Sequence, residues 1–392
     1  KSCKSLLSRR PERTPPFCPI VARNGEKRQW FRCKESGFFT TAGWRSFAAC
    51  GKMEKTALGR GKGESKKVLW GWVLLGVLGA ALLVLLGAGL FFFRFSMVRG
   101  KRRQQEEEFL KKGTIWHPFR QRMEEAQAFI RSHTQEKVSL RSRDGLQLTA
   151  LYLPAPGESR GTILAFHGYR SLATVDFALE VEFLHNLGYD LLLPYQRAHG
   201  ESQGRYITYG VKERLDCQDW ACYAAQRFGQ EKPLFLMGIS MGAATVLMAS
   251  SLDLPENTRG IVADCGFTTP WEIMAHVARR DYHLPAFPLL YVLEGIARLQ
   301  AGVSLRGADT RQALQKTRLP VLFLHGEADD FVPVSMTREN YAACSGEKEL
   351  LLVPGAGHAQ SFGVDPEGCQ EAIRSFLKKH GKGAEAAGVC LE

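Results

Sequence analysis

Pro233-Leu234-Phe235-Leu236-Met237-Gly238-Ile239-Ser240-Met241-Gly242-Ala243-Ala244 decides how this chain is read. Leu234 to Met237 is a short apolar run of the kind that forms a fully buried strand. Gly238, Ser240 and Gly242 then spell G-x-S-x-G, a tight turn that projects a serine hydroxyl above a sheet. Small residues on either side of the serine let strand and helix approach closely. Ala243 to Ser250 continues as a small-residue helix whose N-terminus favours negative charge. A strand, a strained turn and a helix start in this order predict a nucleophilic serine.

Further apolar runs recur on both sides of this stretch, separated by helix-length segments. They are Thr162–Phe166, Tyr189–Leu193, Ile261–Ala263, Val321–Leu324 and Leu350–Val353. Continuous apolar strands alternating with helices predict a mostly parallel central sheet covered on both faces, an α/β architecture. Val138 to Leu153 alternates apolar and polar residues around Asp144-Gly145 and reads as a hairpin leading into that sheet.

A serine needs an imidazole to become nucleophilic near neutral pH. Gly355-Ala356-Gly357-His358 follows the last strand on a loop of small residues, which makes His358 the candidate base. Val321–Leu324 leads into His325-Gly326-Glu327-Ala328-Asp329-Asp330, and Asp329 is placed to orient the imidazole and stabilise its cation. Asp264, after Ile261–Ala263, is the reserve acid; Asp330 reads as solvated. His199, His276 and His283 read as surface, loop or lid residues. His167-Gly168-Tyr169 follows another strand, so the backbone N–H of Tyr169 and that of Met241 are the candidate oxyanion donors. His167 itself reads as a structural histidine bonding the loop. Such chemistry requires no metal and no organic cofactor.

Five motifs in one order carry a resemblance. They are His167-Gly168, Gln196-Arg197-Ala198-His199-Gly200-Glu201-Ser202, the Gly238–Gly242 turn, His325-Gly326 with Asp329, Val332 and Pro333, and Gly357-His358. Residues 138–377 resemble the α/β-hydrolase superfamily, in its serine aminopeptidase-like and esterase-like branch, including uncharacterised bacterial members with an N-terminal membrane segment. Many relatives have Asp-x-Arg-Gly-His where this chain has Gln196-Arg197-Ala198-His199, so an acidic residue is missing. The resemblance implies an α/β-hydrolase fold with a small cap at about 268–315. Apolar residues of that segment and just beyond the acid, Trp271, Phe287, Tyr291 and Phe331, are the expected pocket lining. It implies hydrolysis of a carboxyl ester, thioester or small amide. The alternatives are a serine peptidase or aminopeptidase, an acyltransferase, and a catalytically silent scaffold.

Val68 to Phe93 contains no charged residue and is long enough, at about 1.5 Å per residue, to cross the ~30 Å hydrocarbon core. A single transmembrane helix over 68–93, a single-pass membrane protein and a lipid bilayer as partner are expected. Lys55, Arg60, Lys62, Lys66 and Lys67 precede the span, and Arg94, Arg99, Lys101, Arg102 and Arg103 follow it, so the flanking charges balance. The net charge of +12 divides into +17 for residues 1–103 and −5 for the remainder. That distribution fits membrane flanks and argues against nucleic acid as a partner. The spacing of the 10 cysteines matches no zinc pair, and small buried thiols are expected. The expected division is a basic tail at 1–67, the span at 68–93, a helical linker at 94–134, a catalytic domain at 135–380 and a flexible tail at 381–392. Met53 reads as the natural start, with 1–52 preceding it.

Overall fold

The computed structural model describes residues 62–100 and 106–381; the expectations for Met53 and for the two tails lie outside the described residues. Eight strands follow in chain order: β1 (Glu136–Arg141), β2 (Gln147–Leu153), β3 (Thr162–Phe166), β4 (Asp190–Pro194), β5 (Leu234–Ile239), β6 (Thr258–Asp264), β7 (Val321–Gly326) and β8 (Lys348–Val353). They form one sheet in the order β1-β2-β4-β3-β5-β6-β7-β8. β2 runs antiparallel to β1 and β4, and the remaining neighbours are parallel. The hairpin turns at Asp144-Gly145, where Gly145 takes a φ of 84° and Ser142 N–H donates to Leu146 O.

The helices are α1 (Lys62–Met97), α2 (Glu106–Phe109), α3 (Arg120–His133), α4 (Ala173–Asp176), α5 (Ala178–Asn186), α6 (Glu213–Phe228), α7 (Met241–Ala249), α8 (Pro270–Tyr282), α9 (Leu289–Gln300), α10 (Thr310–Leu314), α11 (Val334–Ala343), α12 (Ser361–Val364) and α13 (Pro366–His380). Alternate strand residues feed two separate apolar layers, because successive side chains point to opposite faces. Ile163, Phe235, Met237, Val262 and Leu322 pack on one face with Ile373 and Phe376 of α13. Leu164, Leu234, Leu236, Ile261 and Val321 pack on the other with Trp220 of α6 and Val246 and Leu247 of α7. Every residue of α7 is buried, which accounts for its small, uniformly apolar sequence.

Parts of the expected division take a more definite form. Within the helical linker expected at 94–134, α3 is docked: its Met123, Ala126 and Ile130 are buried in the same layer as Leu151 and Val181. Their three- and four-residue spacing makes a stripe that the sheet layer covers. The cap is narrower than 268–315, since Leu314 of α10 lies in the layer beneath the sheet and Thr310 Oγ1 donates to Asn340 Oδ1 of α11 at 2.6 Å. What remains as the cap is the helical pair α8 and α9. α8 is started by Pro270 and by Thr269, whose side chain accepts from Glu272 N–H.

The apolar N-terminal stretch also ends differently from its expected limit. α1 is one helix of 36 residues, long and apolar enough to cross a membrane. Val68 to Gly87 is largely exposed, whereas Gly89, Phe93 and Met97 are buried. The last turns of the expected span at 68–93 are therefore protein contacts.

Candidate active site

β5 ends at Ile239 and α7 starts at Met241, so Ser240 alone forms the turn. Its φ of 56° and ψ of −115° are sterically unfavourable for a residue with a Cβ and cost about 1–3 kcal/mol. Its N–H donates to Asp264 O at 2.8 Å, which ties the turn to β6. The flanking glycines are dictated by contact. A Cβ on Gly242 would overlap the carbonyl oxygen of Phe166, and one on Gly238 would overlap the backbone of Gly242.

Three distant loops converge at this turn. His358 Nε2 lies 2.9 Å from Ser240 Oγ, and His358 Nδ1 lies 2.7 Å from Asp329 Oδ2. Both Asp329 and His358 sit beyond the C-terminal ends of strands, β7 and β8 respectively, on the same edge as Ser240. Asp329 Oδ1 accepts the N–H groups of Phe331 and Val332, each at 2.9 Å. Fully buried His325 approaches Asp329 Oδ2 at 3.2 Å and is itself fixed by Thr337 Oγ1 at 2.7 Å. Burial alone would push the Asp329 carboxyl up. Hydrogen bonds from His325 and His358, with their charge, outweigh it and hold Asp329 well below the usual carboxylate range.

The other sequence candidates fall into place around this line. Asp264 is buried and accepts from Ser361 Oγ at 3.1 Å, with no hydrogen bond to His358 among the described residues. Asp330 is exposed and faces Arg280 at 3.2 Å. His276 meets the Asp330 carbonyl, and His283 caps α8 in a left-handed conformation. Cys265, Asp329 and His358 lie close enough together to hold a metal ion. Yet Asp329 and His358 already bond each other, and burial pushes the Cys265 thiol well up, which disfavours the thiolate a metal needs.

The loop after β3 is held residue by residue. Gly168 N–H donates to Asp176 Oδ2 at 2.6 Å, and Arg170 N–H donates to His199 Nε2 at 3.0 Å. The intervening Tyr169 N–H and the Met241 N–H at the start of α7 donate to no protein acceptor among the described residues. His199 is thus not a surface or lid residue: it is buried, and its Nδ1 meets Arg197 O at 2.9 Å. Asp176, buried beneath the loop, has its carboxyl pushed up to about 6 by burial. His167 is also buried; burial brings it down to about 4, and it bonds Gly168 O and the Gln196 N–H. Gln196, at the place of the missing acid, donates through its amide to His167 O and accepts from Thr245 Oγ1. A carboxylate could not make the first of these bonds.

An apolar cavity of about 280 Å³ adjoins the site. Of the four expected lining residues only Phe331 borders it, and its ring lies 4.8 Å from that of His358. Trp271, Phe287 and Tyr291 do not. Phe287 and Tyr291 are exposed and pack edge-on at 5.7 Å, while Arg306 covers the Trp271 ring. The residues that do line the cavity include Phe92, Phe95 and Ser96 of α1, with Tyr169 and Met274. None of these three α1 residues is an expected lining residue: Phe92 falls in the expected span at 68–93, and Phe95 and Ser96 fall in the expected linker at 94–134. The aromatic run Phe91-Phe92-Phe93-Arg94-Phe95 at the end of α1 was the signal available.

The sheet order, the serine turn between β5 and α7, and the strand-end positions of the Asp329 and His358 loops define the α/β-hydrolase fold. Residues 157–292 match the serine aminopeptidase family, S33. The chain is similar to YqkD, an uncharacterized protein of Bacillus subtilis (strain 168), at 27% identity over 274 residues, 64% of this chain and 88% of the relative. It is similar to caffeoylshikimate esterase of Arabidopsis thaliana at 24% identity over 288 residues, 61% of this chain and 85% of that one. A solved esterase of Pyrococcus furiosus shares the fold with a TM-score of 0.53 and 23% identity, covering 64% of this chain and 93% of the esterase. The chain has the α/β-hydrolase fold, with an apolar N-terminal helix long enough to span a membrane.

Proposed function

We propose that the protein is a serine hydrolase, anchored to a membrane by α1, that cleaves a carboxyl ester, thioester or small amide through an acyl-enzyme on Ser240. The hydrogen-bonded line from Ser240 Oγ through His358 to Asp329 carries this reading. His358 Nε2 takes the serine proton as Oγ attacks the carbonyl carbon, and Asp329 stabilises the imidazolium through Nδ1–H. The oxyanion forms between the N–H groups of Tyr169 and Met241. Both are fixed in direction before substrate arrives, so little reorganisation is needed as charge develops. Collapse of the tetrahedral adduct expels the alcohol, thiol or amine with the proton from His358. Water, deprotonated by the same imidazole, then releases the acid.

An apolar acyl group fits better than the free amino terminus of a peptide. The cavity beside the site is walled mainly by aromatic and aliphatic side chains, and its one carboxylate, Asp281, pairs with Arg280 at 2.6 Å. An N-terminal amine would need an unpaired buried carboxylate. Treating the purified protein with a fluorophosphonate probe tests the reading. Labelling of the wild type and none of Ser240→Ala is expected; equal labelling of both proteins would refute it.

A further inference from the structure

α1 changes character part-way along its length. From Val68 to Gly87 it is apolar, uncharged and largely exposed, and those 20 residues amount to roughly 30 Å of helix, the thickness of the hydrocarbon core. Beyond Gly87 the same helix is bolted to the hydrolase. Gly89 sits against Val292 of α9, where an added Cβ would meet the valine side chain at 2.5 Å. Phe93 and Met97 are fully buried. Ser96 O accepts the hydroxyls of Tyr169 at 2.8 Å and Tyr209 at 3.2 Å. Arg170 reaches the carbonyls of Phe95 and Val98, and Arg99 donates to Ser202 O at 2.6 Å and Gly200 O at 2.5 Å. Val98 pairs with Tyr206 as a short bridge. α1 runs unbroken from the apolar stretch into these contacts, so the domain is held close to the end of that stretch.

The cavity lies at this junction. It is bordered by Tyr169, whose N–H is one of the candidate oxyanion donors, and by Phe331, against His358. Phe92 and Phe95 of α1 and Tyr282 and Leu284 at the end of α8 line it as well. The Phe92 and Tyr282 rings meet edge-on at 5.2 Å. Outside α1, the large apolar side chains exposed among the described residues are Ile115, Tyr282, Phe287, Tyr291, Leu299 and Val364. Four of these six belong to the α8–α9 cap, which packs against α1. Exposed apolar side chains gathered beside a membrane span, with aromatic rings among them, are what a protein presents to a bilayer interface.

We propose that the substrate is a membrane lipid ester whose acyl chain passes from the bilayer, between the end of α1 and the cap, into this cavity. The inference rests on Ser240 being the nucleophile. The chain fills the space between Phe95 and Tyr169, which brings the ester carbonyl to Ser240 Oγ. The acyl group is transferred to Oγ as the lipid alcohol leaves with the proton held by His358. One water then cleaves the acyl-enzyme, so the products are a fatty acid and the de-acylated lipid. α1 is thus both the anchor and one wall of the acyl pocket.

The test uses the full chain in vesicles, with two substitutions that fill the cavity from opposite walls: Ser96→Phe on α1 and Ala278→Trp on α8. Each is measured on a water-soluble acetate ester and on a long-chain acyl lipid in the bilayer, with thermal melting to show that the variant is folded. The wild type is expected to favour the long-chain lipid. Both substitutions are expected to lower the long-chain to acetate ratio of kcat/KM by at least about tenfold, since a single methylene in an apolar pocket is worth about 10–200-fold. A medium-chain ester is also offered at equal concentration in vesicles and as free monomer, and faster turnover from vesicles is expected. If acetate is hydrolysed at Ser240 but the ratio is unchanged in both folded variants, or if vesicles confer no advantage, the lipid proposal is overturned while the hydrolase reading stands. If no ester is hydrolysed and the fluorophosphonate does not react, both fall together.

Discussion

The reacting edge of the sheet and the α1–cap region solve different problems with different materials. At the reacting edge almost every polar atom is held by a named partner: Gly168 by Asp176, Arg170 by His199, Asp329 by Phe331, Val332 and His325. In the α1–cap region contacts are mostly apolar, and polar bonds occur chiefly where Tyr169, Tyr209 and Arg170 grip the helix backbone and where Arg99, just beyond it, donates to Ser202 O and Gly200 O. The first region fixes atoms to fractions of an ångström, as proton transfer demands; the second supplies volume and a route. Substitutions at the first should therefore act on all substrates alike, and those at the second should discriminate between them.

The largest effect is expected at the line of three. Ser240→Ala or His358→Ala should each lower kcat by on the order of 10⁵-fold or more on every substrate, because the pair acts as a unit. Asp329→Asn should cost on the order of 10⁴-fold by presenting the wrong imidazole tautomer. Asp264→Asn, which touches the serine turn only from beneath, should retain most of the activity. Full activity in Asp329→Asn with loss in Asp264→Asn would exchange their roles.

The meeting of these three side chains was legible because each lies just beyond an apolar strand: Ser240 next to the end of β5, Asp329 in the loop after β7 and His358 in the loop after β8. The hairpin was equally legible, from its alternation around Asp144-Gly145, and so was the mostly parallel sheet. What was not legible depends on contacts between segments far apart in the chain. The end of α1 looks like lipid-facing helix until Val292, Tyr206 and Tyr209 are brought against it. α3 resembles a free amphipathic linker until its stripe meets Leu151. Trp271, Phe287 and Tyr291 are apolar residues of a cap, and composition alone does not say which face they take. The burial of loop residue His199 is hidden for the same reason, since its partner, the Arg170 N–H, lies in another loop.

A middle-sized effect is expected where the two regions touch. Gly89→Leu forces a side chain into Val292 and should destabilise the protein by about 1–3 kcal/mol, the usual cost of overpacking. It should lower kcat/KM for long-chain esters more than for acetate. Equal losses on both substrates would mean that the docked turns of α1 support the fold without shaping the pocket.

The smallest effect concerns Asp176. Its folded carboxyl keeps a proton up to about pH 6, against a normal value of 3.8, so folding takes up a proton between those limits. Stability contributed at this site therefore falls as pH rises from about 4 to about 6. Asp176→Asn should flatten that part of the melting-temperature profile relative to wild type, read as the difference between the two curves. An unchanged difference across the window would show that the group titrates normally.

The most direct test is to catch the acyl-enzyme. The protein is mixed with an ester, quenched in acid during turnover, digested and weighed by mass spectrometry. The expected result is the mass of one acyl group on the peptide containing Ser240, absent from Ser240→Ala. Sustained turnover with no acylated peptide, or an acyl group on a different residue, would contradict a serine nucleophile at the β5–α7 turn.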